Sequence, residues 1–270
     1  MSEHGTYVFQ SDMVTVIAAR WMGDPGPVQV HDWDAVELAL PRQGCLSYRD
    51  RRGRALVDPT HCLLIPPLQE ARTAHLTPDG VLESMLFFGR PVLEALGVDS
   101  TVVPLSAVVT PVMQVQHRRL LVAASQLADP VTLQEIAIGL LADAVAQQRP
   151  RQVAGGRPAA ARVRRALVDN ARALLNAEPQ LDSIVVLADR LETSPHHLSR
   201  VFHEQTGSTL GEYRTRLRVN LVLDHLCADT DRRSLADIAA VCGFADHAHM
   251  TRTVRRYTGH TPSALRTTLG

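Results

Sequence analysis

The residues with the most chemical potential lie in the last third of the chain, in two clusters. The first is Ser194, His196, His197, Ser199 and Arg200; the second, about fifty residues on, is His247, His249, Thr251, Arg252, Arg255 and Arg256. A guanidinium can pair bidentately with guanine in the major groove or hold a phosphate; hydroxyls and imidazoles can donate or accept at base edges. No acid follows Asp246, so the second cluster suits a polyanion. The imidazoles could also suggest a metal site. His196-His197 and His247-x-His249 belong to separate clusters, however, so groove contact or solvent exposure is the better reading. The chain has no G-x-S-x-G, P-loop or G-x-G-x-x-G motif, and catalytic residues are expected to be none. Few Tyr or Trp are available for an RNA-stacking platform.

The elements that must position these clusters are visible as a degenerate repeat. Ile184, Leu187, Ala188 and Leu191 follow the i, i+3, i+4, i+7 spacing of an amphipathic helix; Leu235, Ile238, Ala239 and Cys242 repeat it 51 residues later. A turn follows each: Glu192-Thr193, then Gly243-Phe244-Ala245. A second helix starts at Ser194-Pro195 in one copy and at Asp246 in the other, both good N-caps. Leu198 and Phe202 match Met250 and Val254 as a buried edge, with Arg200 and Arg252 on another face. Both helices stop at Thr-Gly, Thr206-Gly207 and Thr258-Gly259. Tyr213-Arg214 then matches Leu265-Arg266. Two such units in register read as paired helix-turn-helix motifs. A generic helical bundle would explain the apolar positions and leave the polar face unexplained. The helix expected from Leu210 to Cys227, with Tyr213, Leu217, Leu221 and Leu226 for the core, would be about 27 Å long. That could hold two reading helices roughly one DNA turn, about 34 Å, apart.

Residues 160–270 resemble the AraC/XylS family of bacterial transcription regulators. The most specific stretch is Ile238-Ala239-x-x-Cys242-Gly243-Phe244-Ala245-Asp246-His247-Ala248-His249-Met250-Thr251-Arg252, continuing through Val254-Arg255-Arg256, Gly259, Thr261-Pro262 and Leu265-Arg266. The family usually has aromatics where this chain has Met250, Val254 and Leu265. The resemblance implies base contacts from His196, Ser199, Arg200, His247, His249, Thr251 and Arg252, and phosphate contacts from Ser194, Arg255 and Arg256. It also implies double-stranded DNA and RNA polymerase as partners, and a cytoplasmic, nucleoid-associated protein. Ahead of such a domain the family often carries a cupin barrel for a small molecule or for dimerisation.

The first hundred residues fit that expectation as β structure. Val28–Val30, Val36–Leu40, Cys45–Tyr48, Ala55–Val57, Cys62–Ile65 and Leu82–Phe88 are short apolar or alternating runs between Gly and Pro turns. The cupin metal motifs are degenerate. His31 and Glu37 keep their places, while Trp33 and Leu64 replace ligand histidines. A metal enzyme needs converging ligands with an open position, so no metal and no cofactor are expected. His31, Trp33, Glu37 and Leu64 become the candidate pocket for a metal-free effector. A filled barrel serving dimerisation is the alternative. Cys45 and Cys62 fall in strands and read as small hydrophobes rather than sensors. Helical patterns near 112–128 and 131–148 follow; Leu133, Ile136 and Leu140 in the second are the candidate homodimer contact.

The expected architecture is therefore multidomain: a cupin-like β-barrel with flanking helices over 1–148, a linker over 149–158 rich in Pro and Gly, and an all-α double helix-turn-helix over 159–270. Charge divides the same way. The net charge is zero, with 28 basic and 28 acidic residues, but residues 1–156 hold 12 Arg against 16 acids and residues 157–270 hold 16 Arg against 12. One half is suited to a polyanion. Every basic residue is Arg, which reads as genomic base composition and also supplies planar bidentate chemistry. No segment reaches the roughly 20 apolar residues of a membrane span, and Met1–Gln10 predicts no signal peptide. The function expected is a sequence-specific transcription regulator, an activator modulated by an effector, with a ligand-independent regulator as the alternative.

Overall fold

In the computed structural model, residues 4–22, 29–31, 33–100, 103, 105–147, 158–227 and 233–269 are described. The strands are β1 (His4–Gln10), β2 (Val14–Trp21), β3 (Gln29–His31), β4 (Val36–Gln43), β5 (Leu46–Asp50), β6 (Gly53–Val57), β7 (His61–Ile65), β8 (Gln69–His75) and β9 (Val81–Phe88). The short helix α1 (Arg90–Ala95) and strand β10 (Ser106–Val108) follow. They form two antiparallel sheets, ordered β1-β2-β9-β4-β7-β10 and β3-β8-β5-β6. The two-residue period of a strand sorts their side chains. Val36, Leu38, Leu40, Leu64, Leu86 and Phe88 point to the outer face of the larger sheet. Ala39, Leu63, Ile65 and Val81 point inward, against Leu46, Tyr48, Ala55, Val57 and Ala71. The result is a barrel-like sandwich. The sequence pattern missed β1, β2, β8 and β10. The clearest reason is in β8, which reads Gln-Glu-Ala-Arg-Thr-Ala-His and is held by pairing with β3 and β5 rather than by large apolar side chains.

Helices α2 (Pro111–Ser125) and α3 (Pro130–Ala146) cover the outer face. Each begins with Pro in its first turn behind a capping side chain, Thr110 and Asp129. Their placement corrects the dimer expectation. Leu133 and Leu140 are 4% and 1% exposed, and Ile136 is half-buried against the same core. The apolar stripe of α3 is spent on the chain's own sheet and is not free for a second copy.

The helical half comprises α4 (Pro158–Ala177), α5 (Ile184–Arg190), α6 (Pro195–Thr206), α7 (Leu210–Cys227), α8 (Leu235–Val241), α9 (His247–Thr258) and α10 (Pro262–Leu269). The linker expected at 149–158 lies, apart from Pro158, outside the described residues. Two small cores form. One gathers Ala171, Leu175, Leu187, Leu198, Phe202 and Leu210 with Tyr213 and Leu217. The other gathers Val219, Val222, Leu223 and Leu226 with Ile238, Met250, Val254 and Leu265. Thus α7 belongs to both, its first half to one motif and its second half to the other.

The same helix carries Tyr213, Arg216, Asn220 and Asp224, spaced three or four residues apart and so on one face. That face meets the sandwich and α2. Asp58, fully buried in the β6–β7 turn, accepts from Tyr213 Oη at 2.5 Å and Thr60 Oγ1 at 2.6 Å, and pairs with Arg172 of α4 at 2.5 Å. Arg216 donates to the carbonyls of Thr60 and Val109 at 3.2 and 2.9 Å. Asp224 accepts from Arg42 Nε at 3.1 Å and Arg118 Nε at 3.0 Å. Asn220 accepts from Arg118 and donates to the Arg42 carbonyl, both at 2.6 Å. Arg54 pairs with Asp169 beside them. Burial alone would raise the Asp58 carboxyl, but the Arg172 guanidinium, with His61 and Thr60, holds it well below the usual carboxylate range.

Candidate nucleic-acid interface

The two reading helices, α6 and α9, are both twelve residues long and built alike. Ser194 Oγ accepts from the His197 amide at 3.2 Å, and Asp246 Oδ1 accepts from the His249 amide at 2.6 Å, each satisfying a helix donor that would otherwise lack a partner. Gly207 and Gly259 close the C-termini at φ 71° and 81°. The copies agree further down. Thr206 Oγ1 donates to Phe202 O and accepts from the Ser208 amide; Thr258 Oγ1 donates to Val254 O and accepts from the His260 amide. The turns differ in one way. Glu192 takes the left-handed backbone at φ 50° where the second copy has Gly243 at φ 76°. A Cβ at Gly243 would meet the Arg218 guanidinium at 3.1–3.2 Å. The second turn is also one residue longer, which accounts for the shift from 51 to 52 in the repeat.

With Leu198, Val201 and Phe202, or Met250, Thr253 and Val254, buried behind them, the reading helices leave their remaining faces outward. His196 and Arg200 are exposed and Ser199 half-buried on α6; His247, His249, Arg252, Arg255 and Arg256 are exposed and Thr251 half-buried on α9. Ser194 is exposed at the start of α6, where helix amides and dipole favour an anion. The expected side chains therefore converge on two faces of one construction. They differ in readiness. Arg200 is engaged, donating to Glu204 Oε1 at 3.1 Å and to His197 Nδ1 at 3.2 Å. Arg252 has no ion pair among the described residues. Arg256 lies over its neighbour Tyr257 at 5.5 Å. The His247 ring reaches Thr251 Oγ1 at 3.3 Å, and His249 stands edge-on to Phe244 at 5.5 Å. The second cluster is thus pre-positioned by uncharged contacts, while the first carries its own acid. Glu204 sits four residues after Arg200, a spacing that signals the pair in advance.

The four expected effector residues do not gather. Glu37 is 4% exposed on the inner face of the sandwich, and Trp33 lies at its edge with its ring 4.9 Å from Phe87. Leu64 is fully buried on the opposite face, under the helical layer. Strand parity separates neighbours, so Leu64 cannot share a pocket with Glu37. The side chain of His31 lies outside the described residues. Among the described residues, no three His, Cys, Asp or Glu side chains are grouped to hold a metal ion, and no helix is long and apolar enough to cross a membrane. Cys45 and Cys62 are fully buried, and burial pushes the Cys62 thiol up to about 12 and Cys45 higher still. Sequence reasoning missed the α7 face altogether. Its partners lie 100 or more residues away, and only the 3–4 spacing of Tyr213, Arg216, Asn220 and Asp224 hinted at a shared surface.

A family model described as a helix-turn-helix domain matches residues 187–268. The HTH-type transcriptional activator RhaS of Yersinia pestis (strain Pestoides F) is 36% identical over 83 residues, 31% of this chain and 30% of RhaS. The bifunctional transcriptional activator/DNA repair enzyme AdaA of Bacillus subtilis (strain 168) is 32% identical over 80 residues, 30% of this chain and 37% of AdaA. The chain thus spans about a third of the length of these relatives. A solved AraC-type DNA-binding domain-containing regulator from Chromobacterium violaceum is 25% identical, covering 38% of this chain and 91% of its own, with a TM-score of 0.36. Residues 187–268, with two capped helices on one shared helix, are a helix-turn-helix domain.

Proposed function

We propose that the chain is a sequence-specific DNA-binding transcription regulator, an activator that contacts RNA polymerase and whose DNA binding responds to a small molecule held by the sandwich. The observation that carries the DNA reading is the duplicated construction of α6 and α9. Both present outward basic, imidazole and hydroxyl side chains from rigid, capped helices, and rigid elements make precise readers. His196, Ser199, Arg200, His247, His249, Thr251 and Arg252 are the base-reading set in this proposal; Ser194, Arg255 and Arg256 hold phosphates. The names of the relatives, activators among them, support the direction of the effect. The response to an effector is supported by the α7 face. A ligand that favours one arrangement of the sandwich biases, through Asp58 and Asp224, the helix that joins both motifs.

The test is selection of bound sites from random double-stranded DNA with the full chain. The expected product is an asymmetric site with two conserved segments about one helical turn apart. Recovery of no enriched sequence would remove the reading.

A further inference from the structure

The inner face of the larger sheet carries two carboxylates that take no part in the ion pairs between sandwich and helices. Register places Glu83 of β9 between Ala19 of β2 and Pro41 of β4, and Glu37 of β4 opposite Phe87. Parity puts both on the side of Ala39 and Val81, facing the smaller sheet. They are 4% (Glu37) and 7% (Glu83) exposed. Elsewhere this Arg-rich chain matches its buried acids with guanidinium groups: Asp58 with Arg172, Asp224 with Arg118 and Arg42. Glu83 has no such partner among the described residues. Its Oε2 is shut off from solvent with no well-formed hydrogen bond, and so is the indole Nε1 of Trp21, which lies close enough to favour the carboxylate weakly. Burial, followed by the charge of Glu37, pushes the Glu83 carboxyl up to about 8. A polar group left in this state inside a native fold calls for an explanation, and a missing ligand is one.

The surroundings narrow the ligand. Trp21 lies opposite Val81 on the inner face. Trp33 rests on Phe87 and remains 47% exposed at the edge. Both tryptophans of the chain are therefore at this interior, in a protein with only 4% aromatic residues. Ala19, Ala39 and Ala71 contribute little side-chain volume between them. The Arg52 guanidinium reaches Tyr48 at this interior but is held by Asp50 and by the carbonyls of Val103 and Leu64, so an anionic ligand would meet two carboxylates and, among the described residues, only a guanidinium already engaged. A cation would find a counter-ion in a desolvated setting and aromatic faces for its charge and its apolar body.

We propose that the sandwich interior is an effector site for an organic cation, a protonated amine or quaternary ammonium on a flat apolar body. In it Glu83 is the counter-ion, and Trp21, Trp33 and Phe87 are the ring contacts. The inference rests on the reading of the sandwich as an effector domain and adds the chemical class. Glu83 enters the complex as the carboxylate, so its proton leaves to solvent as the cation arrives.

Calorimetry on the full chain at pH 7 with three probes of one size, phenethylammonium, 2-phenylethanol and phenylacetate, tests this. Phenethylammonium is expected to bind and to release a proton, read from the difference in heat between phosphate and Tris buffers. Glu83→Gln is expected to weaken binding by about tenfold or more and to abolish the proton release. Trp33→Ala, at a half-exposed edge position, is expected to weaken binding and keep the release, so it serves if Glu83→Gln fails to fold. Equal or tighter binding of the alcohol or the carboxylate would overturn the cation class while leaving an effector site. Failure of all three probes would overturn the site. Binding of phenethylammonium with no change in affinity for the selected DNA would uphold the site and overturn the effector reading.

Discussion

At the scale of the residue, the two reading helices differ most at their central arginines. Arg252 has no ion pair among the described residues, so Arg252→Ala is expected to lose about 1–3 kcal/mol of specific binding and to relax preference at one base pair. Arg200 must first leave Glu204 or carry it to the groove. Arg200→Ala is therefore expected to cost at the lower end of the same range, and Glu204→Gln to tighten binding. A competition assay against mismatched sites reads both, and wild-type behaviour of Arg252→Ala would remove its assignment. Arg255→Ala is expected instead to weaken all sequences alike and to lower the salt slope by about 1. This face was legible in the sequence because each helix carries its cap, its buried edge and its polar edge within twelve residues. Glu83 was not. Nothing in Val-Leu-Glu-Ser-Met-Leu-Phe-Phe reveals that the glutamate points inward, because inward and outward are fixed only by pairing with β2 and β4. Leu64 failed for the same reason: the cupin spacing located the residue, and strand parity turned it to the other face.

At the scale of the element, the turns of the two motifs separate backbone strain from crowding. Gly243→Ala and Gly259→Ala both force an L side chain into the left-handed region, about 1–2 kcal/mol. A Cβ at Gly259 meets nothing within 4 Å, whereas one at Gly243 presses on the Arg218 guanidinium. That arginine is also held by Pro179 O at 3.0 Å and Asp182 at 2.7 Å. Gly243→Ala is thus expected to lower stability more than Gly259→Ala in denaturant melts; equal losses would show that Arg218 yields freely. The boundaries of these helices were legible because Ser, Asp, Pro and Gly act locally. The α3 stripe shows where local reading stops. Leu133, Ala137, Leu140, Leu141 and Ala144 announce a buried face, but periodicity is silent on whether the covering surface belongs to the same chain. Here it does.

At the scale of the whole molecule, the contact between sandwich and helices is ionic and buried, which makes it conditional. Removing one partner strands the other. Asp224→Ala would leave Arg118, 1% exposed, without its carboxylate, at a cost of about 3–5 kcal/mol. A shift in the thermal midpoint no larger than that of an exposed substitution would contradict the geometry. Acid acts on the same contact. Burial and then neighbouring arginines lower His61 and His117 below the ordinary imidazole range, so both are neutral when folded. The stability they contribute is present above about pH 6.5 and is lost as pH falls toward their folded values, since the unfolded chain takes up protons first. Asp58 adds a loss below about pH 4 by the same sign, its folded carboxyl being depressed. Melts between pH 8 and 5 are expected to show a falling midpoint that His61→Gln partly flattens. None of this contact was readable from the sequence beyond the spacing on α7, because Asp58 and Tyr213 are 155 residues apart.

The face of α7 also bears on how such proteins can be recombined. Tyr213, Arg216, Asn220 and Asp224 need a carboxylate, two carbonyls, two arginines and a further carbonyl from the sandwich side, each at a set height along about three turns of helix. A foreign sensor grafted ahead of residue 158 would bury these groups without partners or hold the joint open. Exchange between relatives is therefore expected to succeed for matched pairs, or for grafts in which the four positions are made apolar together with their partners. The helix shared by the two motifs is also the compatibility code for whatever domain precedes it.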